Sequence, residues 1–232
     1  MLFFYLALIC FPIAIVFDIF DSKFSFHELI VEFHGLVFDL FIFGILLTIY
    51  ETINFKKEKI ERYFEVINDY RFWKSEEAMF RIRGLVKRLV ELNEKELDLS
   101  HCYLATDKSF FSYKDMKNWK FSGADISDSM FILNDMENAN FYLANLMNTS
   151  FNQVNLTNCD FGNSNLYNTV FTKCKFSNTE FSGSIVKTKN WIEELEKNEN
   201  IGTDFLREKY ILKLNTESIN DIKTYVIKKD EK

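Results

Sequence analysis

Residues 121–186 decide the fold of this chain, and they read FSGADISDSM FILNDMENAN FYLANLMNTS FNQVNLTNCD FGNSNLYNTV FTKCKFSNTE FSGSIV. A bulky apolar residue occupies every fifth position from Phe121 to Val186 without interruption. A period of five matches neither the 3.6 residues per turn of an α-helix nor the two-residue alternation of a β-strand. A short fixed period indicates a solenoid, in which each repeat buries its apolar face against its neighbours.

Four pentapeptides close a square coil if each one turns the chain through a right angle, and every twentieth residue then stacks in a column. We expect four apolar columns inside this coil, with Phe111 at the start of one of them. The columns contain the following core residues: Phe121, Phe131, Phe141, Leu146, Phe151, Leu156, Phe161, Leu166 and Phe171. The residue two places before each centre is usually small, as at Ala124 and Ala139, and we expect it to point inward as well.

The order of residue types around each centre is also regular. Segments such as Ala139-Asn140-Phe141 and Ala144-Asn145-Leu146 place a small residue, then Asn or Asp, then Phe or Leu. In this pattern the middle of the chain resembles the pentapeptide-repeat family. The resemblance implies a right-handed quadrilateral β-helix, and a fold alone implies no function. Trp119 and Asn134 depart from the pattern, and the spacing from Leu104 to Phe111 predicts an irregular first coil.

A polar residue stands two places after each aliphatic centre. The row begins at Asn118 and continues through Asp128, Asn138, Asn148, Asn158, Asn168 and Asn178. We expect these residues at corners, because Asn tolerates a left-handed backbone and stacked side-chain amides can bond to one another. The alternative interpretation is a flat polar surface for a partner.

The N-terminus predicts a membrane domain over residues 1–54. Leu2 to Phe17 carries no charge, and a second apolar stretch from Leu29 to Tyr50 is long enough to span a bilayer. Basic residues follow in Lys56-Lys57-Glu58-Lys59, which by the positive-inside bias places the bulk of the chain in the cytoplasm, at a bacterial inner membrane. The prediction is a transmembrane helical hairpin. The rival is one true span with an interfacial first segment.

Three ionisable residues lie in or beside the second span: Glu32, His34 and Asp39. Such residues inside a membrane helix are candidates for a pore, a proton relay or an oligomer contact. The alternative is that the span begins near Gly35, so that Glu32 and His34 lie among headgroups and Asp39 lies one turn inside.

Residues 55–96 predict a cytoplasmic helical linker and a cap for the open end of the solenoid. Ile53, Ile60 and Ile67 repeat by seven, which suggests a helix that self-associates. Ser75 predicts a helix start, followed by an apolar stripe. The stripe comprises Ala78, Ile82, Leu85, Leu89 and Leu92.

The solenoid itself is predicted over residues 97–187, and residues 188–232 predict a second cap. Lys189 to Lys197 indicates a short helix, while Tyr210–Leu214 and Ile222–Ile227 alternate apolar and polar residues as a hairpin would. The fold class is therefore mixed, with membrane helices, a helical linker, a quadrilateral β-helix and a small C-terminal cap.

The residues needed for catalysis are sparse. None of the three histidines, His27, His34 and His101, neighbours a plausible nucleophile in the sequence. The four cysteines, Cys10, Cys102, Cys159 and Cys174, show no zinc-ligand spacing, and the chain lacks a glycine-rich phosphate loop. We therefore expect a chain that is not an enzyme and holds neither cofactor nor metal.

The sequence supports three functional hypotheses. The first is a membrane-anchored docking or assembly module whose partners are the lipid bilayer and an unknown protein, with a homo-oligomer left open. The second is a small oligomeric channel or membrane-permeabilising effector gated by the rod. The third, ranked last, is a DNA-mimicking topoisomerase inhibitor, which some members of the resembled family are. Residues 121–186 hold six acids against two lysines, which is modest for mimicry, and a net charge of −6 gives no reason to expect nucleic-acid binding.

Overall fold

The computed structural model describes residues 26–105, 113–216 and 223–230, with side chains from Phe33 onward. The chain divides into two compact units, Met1–Lys57 and Glu58–Lys232. The predicted first span, Leu2–Phe17, lies outside the described residues, and so does Phe111. The second span falls within a single long helix, α1 (Phe26–Asp69).

In the first unit, α1 presents apolar side chains on all sides. Every side chain from Phe33 to Tyr50 is exposed, and Phe38 and Phe41 are 64% and 63% exposed. By length and composition alone, α1 is the one helix among the described residues that could cross a membrane. An exposed surface of this kind has no counterpart in an ordinary water-soluble helix, which buries one stripe.

The second unit begins with the last turns of α1 and with α2 (Glu76–Glu91). The Ser75 hydroxyl accepts a hydrogen bond from the Ala78 amide at 3.1 Å and caps α2, as the sequence predicts. The apolar face of α2 joins the same core as the first coil of the solenoid. Ile67 is fully buried in this core, so it is not available to a second copy of α1 as the heptad spacing had suggested.

The solenoid is built from coils of twenty residues. One face forms three short parallel strands, β1 (Met130–Ile132), β2 (Ser150–Asn152) and β3 (Val170–Thr172). They are in register, so that Phe131 pairs with Phe151, and Phe151 pairs with Phe171. The other faces pair through single bridges at the same offset of twenty residues, for example between Asn140 and Asp160. Successive coils therefore satisfy one another's backbone groups.

Two columns of phenylalanine fill the interior. Phe121, Phe141 and Phe161 stack with ring centroids 5.0 and 4.8 Å apart, and their planes are nearly parallel. Phe131 and Phe151 stack at 4.7 Å in the facing column. Rings of the two columns meet edge to face, at 6.4 Å between Phe131 and Phe141. Both arrangements are favourable for aromatic pairs. The aliphatic columns are equally buried, and their central members include Leu146, Leu156 and Leu166.

The small residues before each centre are also buried, and their polar atoms bond to the neighbouring coil. The hydroxyls of Thr149 and Thr169 donate to the carbonyl oxygens of Ile126 and Leu146 at 3.0 and 2.7 Å. Trp119 departs from the small-residue pattern, but its indole N–H donates to the carbonyl oxygen of Lys95 at 2.8 Å. A large residue is tolerated there because it lies near the capped end of the solenoid, in contact with Lys95 of the preceding segment.

The C-terminal cap contains more structure than the sequence predicts. Helix α3 (Trp191–Lys197) lies over the last coil, with the Trp191 ring 5.2 Å from that of Phe181. A short helix, α4 (Asp204–Lys209), leads into β5 (Tyr210–Leu214), which pairs antiparallel with β6 (Tyr225–Lys229). The predicted hairpin is therefore present, but its second strand is Tyr225–Lys229 and not Ile222–Ile227, of which Ile222 lies outside the described residues. Strand β6 also pairs with β4 (Ile185–Val186) of the last coil, so the sheet order is β4-β6-β5.

Candidate functional site

The ionisable residues proposed for the membrane lie on one helix but not in one cluster. Glu32, His34 and Asp39 all belong to α1, and the side chains of His34 and Asp39 are exposed. Among the described residues, no group of three or more His, Cys, Asp or Glu side chains is arranged to hold a metal ion. The helix therefore presents these residues to its surroundings, and the structure assembles no site from them.

The polar residues after the aliphatic centres lie at corners with a left-handed backbone. Their φ angles all fall between 53° and 61°, in the region that Asn and Asp tolerate better than other non-glycine residues. The residues are Asn118, Asp128, Asn138, Asn148, Asn158, Asn168 and Asn178. The remaining corners, after the Phe centres, are left-handed as well but carry mixed residues, including the exposed Leu133 and Leu143.

The corner side chains form two hydrogen-bonded ladders along the solenoid. In one, the Asn158 amide nitrogen donates to the Asn138 side-chain oxygen at 3.1 Å, and Asn138 donates likewise to Asn118 at 3.1 Å. In the other, Asn168 donates to Asn148 at 2.9 Å, and Asn148 donates to the Asp128 carboxylate at 3.0 Å. Each bond joins one coil to the next.

A second pair of ladders runs through the residue just before each aliphatic centre, and sequence reasoning missed it. The Asn145 amide nitrogen donates to Asp125 at 2.9 Å, and Asn165 donates to Asn145 at 3.1 Å. Asn155 donates to Asp135 at 2.9 Å in the other ladder. The same side-chain oxygens accept backbone N–H groups two residues ahead, as in an Asx turn. The repeated Asn or Asp before each centre was the available signal.

These hydrogen bonds argue against the interpretation of the corner amides as a recognition surface. Most of the ladder amides donate to the coil below and accept from the coil above, as Asn138 and Asn148 do. A side chain whose donor and acceptor are both occupied within the fold has less to offer a ligand. The geometry therefore supports a structural role for the two rows of corner residues.

The acidic residues on the solenoid are partly compensated. Lys117 Nζ lies 3.1 Å from an Asp135 carboxylate oxygen and 3.7 Å from one of Glu137. Partial burial raises the pKa of Asp135, but hydrogen bonds from Lys117 and Asn155 outweigh it, so the pKa is lowered overall. This arrangement reduces the negative potential that DNA mimicry would require.

The buried cysteines are chemically quiet. Burial raises the pKa of the Cys102 thiol to about 12 and that of Cys174 to about 11, and it also raises that of Cys159. A nucleophilic cysteine requires a lowered pKa and access to solvent. These three residues therefore fill small-residue positions of the core, while Cys10 lies outside the described residues.

The Glu180 carboxylate joins the C-terminal cap to the solenoid. It accepts the Tyr210 hydroxyl at 3.0 Å and lies 3.2 Å from both Lys209 Nζ and Lys229 Nζ. The Tyr210 hydroxyl also accepts the Phe181 amide at 3.1 Å. Burial raises the pKa of Glu180, but hydrogen bonds from these neighbours and from the Ser182 amide lower it below its ordinary value. The cap is thus fastened at one polar point as well as by its apolar contacts.

The described residues of the second unit include two concave regions. A depression of about 250 Å³ is lined by Phe72, His101, Tyr103 and Leu143, among others. A larger groove of about 640 Å³ runs along the outer face of the C-terminal hairpin, between Gly183, Ile211, Lys213 and Lys228. The larger groove is open and partly cationic, which is more typical of a macromolecular contact than of an enclosed small-molecule site.

Comparison with known proteins bears on the repeats. Residues 149–186 match the family model described as "Pentapeptide repeats", with eight copies. A solved pentapeptide repeat protein from the cyanobacterium Cyanothece 51142 shares 16% identity; the alignment covers 50% of this chain and 98% of that chain, with a TM-score of 0.27. A second, from the thylakoid lumen of Arabidopsis thaliana, shares 19% identity over 34% of this chain and 58% of that one, with a TM-score of 0.19. No curated protein matches the chain.

The family match agrees with the geometry described above. It falls on coils in which Phe151, Phe161 and Phe171 occupy the interior and Asn158 and Asn168 occupy left-handed corners. The resemblance noted from the sequence is confirmed, and a right-handed β-helix is the fold it implies. The family match identifies residues 149–186 of this chain as pentapeptide repeats.

Proposed function

We propose that this chain is a non-enzymatic, membrane-anchored docking module. In this proposal the N-terminal apolar segments hold the chain in a bilayer, and the solenoid with its caps offers a rigid surface to a protein partner. The bulk of the chain is cytoplasmic. The single observation that carries the proposal is the exposed apolar surface of α1 from Phe33 to Tyr50 in the same chain as a solenoid with a closed core.

The anchor is supported by the cost of leaving such a surface in water. Side chains such as Phe38, Phe41 and Leu46 are each more than half exposed. Burial of one side chain of this size is worth roughly 1.5–3 kcal/mol, and α1 leaves many of them uncovered. Lys56, Lys57 and Lys59 follow directly, as expected on the cytoplasmic side of a span. A hairpin with Leu2–Phe17 as the first span is the topology we propose.

The docking role is supported by the closed, well-packed core of the solenoid and by the burial of its described cysteine thiols. The interior is filled, both ends are capped, and the three described thiols are buried. Repeat solenoids present extended, preorganised surfaces of this kind to partners.

Membrane extraction tests the anchor. Full-length chain is expected to stay in the membrane pellet through high salt and alkaline carbonate and to be released by detergent. A chain beginning at Glu58, the start of the second unit, is the matched control and is expected in the supernatant. Release of the full-length chain by salt alone would contradict the proposal, because a peripheral contact then suffices.

A channel or membrane-permeabilising effector is the second candidate, favoured by one observation. Asp39 is exposed on the apolar part of α1, seven residues from Glu32 and therefore near the same helix face. A carboxylate in that position is a candidate for a pore or oligomer contact. Planar-bilayer recordings of Asp39→Asn beside the unaltered chain test it. Conductance that is absent, or unchanged by the substitution, removes Asp39 from any such mechanism.

A further inference from the structure

The outer edge of strand β5 has backbone groups without partners among the described residues. The Asn215 amide donates to the Thr224 carbonyl, and the Asp230 amide donates to the Lys209 carbonyl, each at 2.9 Å. Hydrogen-bonded positions alternate along an antiparallel pair, so the odd-numbered residues of β5 bond to β6. Leu212 and Leu214 consequently direct their N–H and C=O groups away from β6, toward the open edge.

The side chains beside this edge are mostly apolar on the core face, whereas exposed lysines alternate with apolar residues on the outer face. Leu212 packs partly on the core, whereas Leu214 is 55% exposed. On the outer face, Lys213 lies opposite Val226 and Lys228 lies opposite Ile211. Lys209 and Lys229 are engaged by Glu180, but neither Lys213 nor Lys228 has a carboxylate within ion-pair distance in the described parts of the chain.

The groove of about 640 Å³ lies on this outer face. Strand pairing between β4 and β6 continues to Gly183, whose amide donates to the Ile227 carbonyl at 2.7 Å. Gly183 has a φ of 78°, and a Cβ at this position would overlap the Asn163 side chain. Lys213, Lys228 and Lys229 line the groove together with Gly183, and Asp230 is the one acidic residue among its described lining residues.

We propose that the β5 edge and this groove bind an extended acidic segment of a partner protein by β-strand addition. Backbone groups of the added strand pair with Leu212 and Leu214, while its side chains alternate between the two faces. A carboxylate beside Lys213 and an apolar residue beside Leu214 are the matching pattern. The proposal rests on the docking function above and specifies the chemistry of the partner.

A second copy of this chain is a poorer occupant of the edge. Antiparallel pairing of two β5 strands about a two-fold axis brings the Lys213 side chains of both copies close together on one face. Like charges that face each other across strands are destabilising, and edge lysines are a common device against self-pairing. An acidic strand removes this repulsion and replaces it with attraction.

Fluorescence anisotropy with full-length chain in neutral-lipid nanodiscs tests the proposal. The probe is a fluorescein-labelled peptide of alternating valine and glutamate, and the matched peptide has lysine in place of glutamate. We expect saturable binding of the glutamate peptide only, and a loss of about tenfold in affinity with Lys213→Glu. Lys197→Glu, on the exposed face of α3, is the control and should bind as the unaltered chain does.

Hydrogen exchange identifies the binding mode in the same samples. The glutamate peptide is expected to slow exchange at Leu212 and Leu214. Leu214→Pro removes only the outward N–H, so it should weaken binding while β6 stays protected. Failure of the glutamate peptide to bind, equal binding of it by Lys213→Glu, or protection elsewhere overturns the proposal. Concentration-dependent protection of this edge without peptide also overturns it, since a second copy then occupies the site. The extraction experiment is independent of all these outcomes.

Discussion

The solenoid and the first part of α1 use the same apolar residue types in opposite ways. Phe141 is fully buried between coils, whereas Phe38 and Phe41 on α1 are 64% and 63% exposed. In the solenoid a spacing of five directs each large residue into one of four columns, so the chain covers its own apolar surface. In α1 the apolar residues occur on every side of a helix, and no fold of the described chain covers them. Spacing, more than hydrophobicity, therefore separates a self-sufficient core from a surface that requires another apolar medium.

The largest expected difference between the regions is the effect of truncating a buried solenoid phenylalanine compared with an exposed phenylalanine of α1. Phe141→Ala is expected to lower the free energy of unfolding of the solenoid by roughly 3–5 kcal/mol, because it removes a ring stacked on both sides. Phe38→Ala should leave solenoid unfolding unchanged. Thermal unfolding followed by tryptophan fluorescence, to which the buried Trp119 and Trp191 contribute, measures both. Equal effects of the two substitutions would remove the distinction on which the comparison rests.

The stacked columns also predict that the stability effects of substitutions in neighbouring coils are coupled. Phe141 and Phe161 are in contact at 4.8 Å between ring centroids, so the costs of Phe141→Ala and Phe161→Ala should not add independently. Urea titrations of both single variants and the double variant give the coupling energy. Strict additivity would indicate that each coil tolerates a cavity without affecting its neighbour.

A charge placed in α1 should act on membrane insertion and not on the solenoid. Phe41→Lys lies within the exposed apolar stretch, and its expected cost is about 2.5–3.5 kcal/mol of apparent insertion free energy. Phe55→Lys, just beyond the stretch and beside Lys56, is the matched control and should cost little. Carbonate extraction of the two variants measures the difference. Identical extraction would mean that this segment does not lie in the hydrocarbon core.

Much of the structure of the second unit can be predicted from residue patterns that are close in sequence, but the contacts between distant segments cannot. The spacing of five predicts the columns through Phe141 and Phe151, and the Asn rows predict left-handed corners, because both depend on residues close in sequence. The pairing of β4 with β6 and the short helix α4 were not predicted, since they depend on contacts between distant segments. The seven-residue spacing that includes Ile67 predicts self-association, yet Ile67 is buried in the chain's own core, because a sequence does not show which surface covers an apolar stripe. The open edge of β5 could not be predicted either, because the sequence does not show which strands pair.

The Glu180 contacts predict a pH-dependent cap. The folded pKa of Glu180 is lowered from its ordinary value of 4.5, so its stabilising contribution is complete above that value and is lost as the pH falls through the folded pKa. Glu180→Gln should therefore destabilise the hairpin at pH 7, by about 1–2 kcal/mol, and lessen its acid sensitivity. Hydrogen exchange of the Ile227 amide at several pH values measures this. An unchanged pH profile in Glu180→Gln would assign the acid sensitivity to other groups.

The smallest expected effect concerns corners that carry leucine. Leu143 has a φ of 59° and is 55% exposed, so it bears the strain of a left-handed backbone without gaining burial. Asn avoids part of this strain, and at position 143 its side chain would lie one coil below Asn163. We therefore expect Leu143→Asn to raise stability by up to about 1 kcal/mol. Leu133→Asn, in the same coil at the corner diagonally across, should give a gain of similar sign.

The reverse substitution sharpens this prediction. Asn148→Leu introduces the strain and also removes bonds to Asp128 and Asn168, so it should cost more than Leu143→Asn gains. Asn148→Ser keeps a polar side chain but shortens the ladder, and its cost should stay well below that of Phe141→Ala. Urea unfolding of the four variants ranks them. If Asn148→Leu proved neutral, neither backbone strain nor ladder bonding would explain why asparagine recurs at the corners. A recognition role for the amide surface would then gain support.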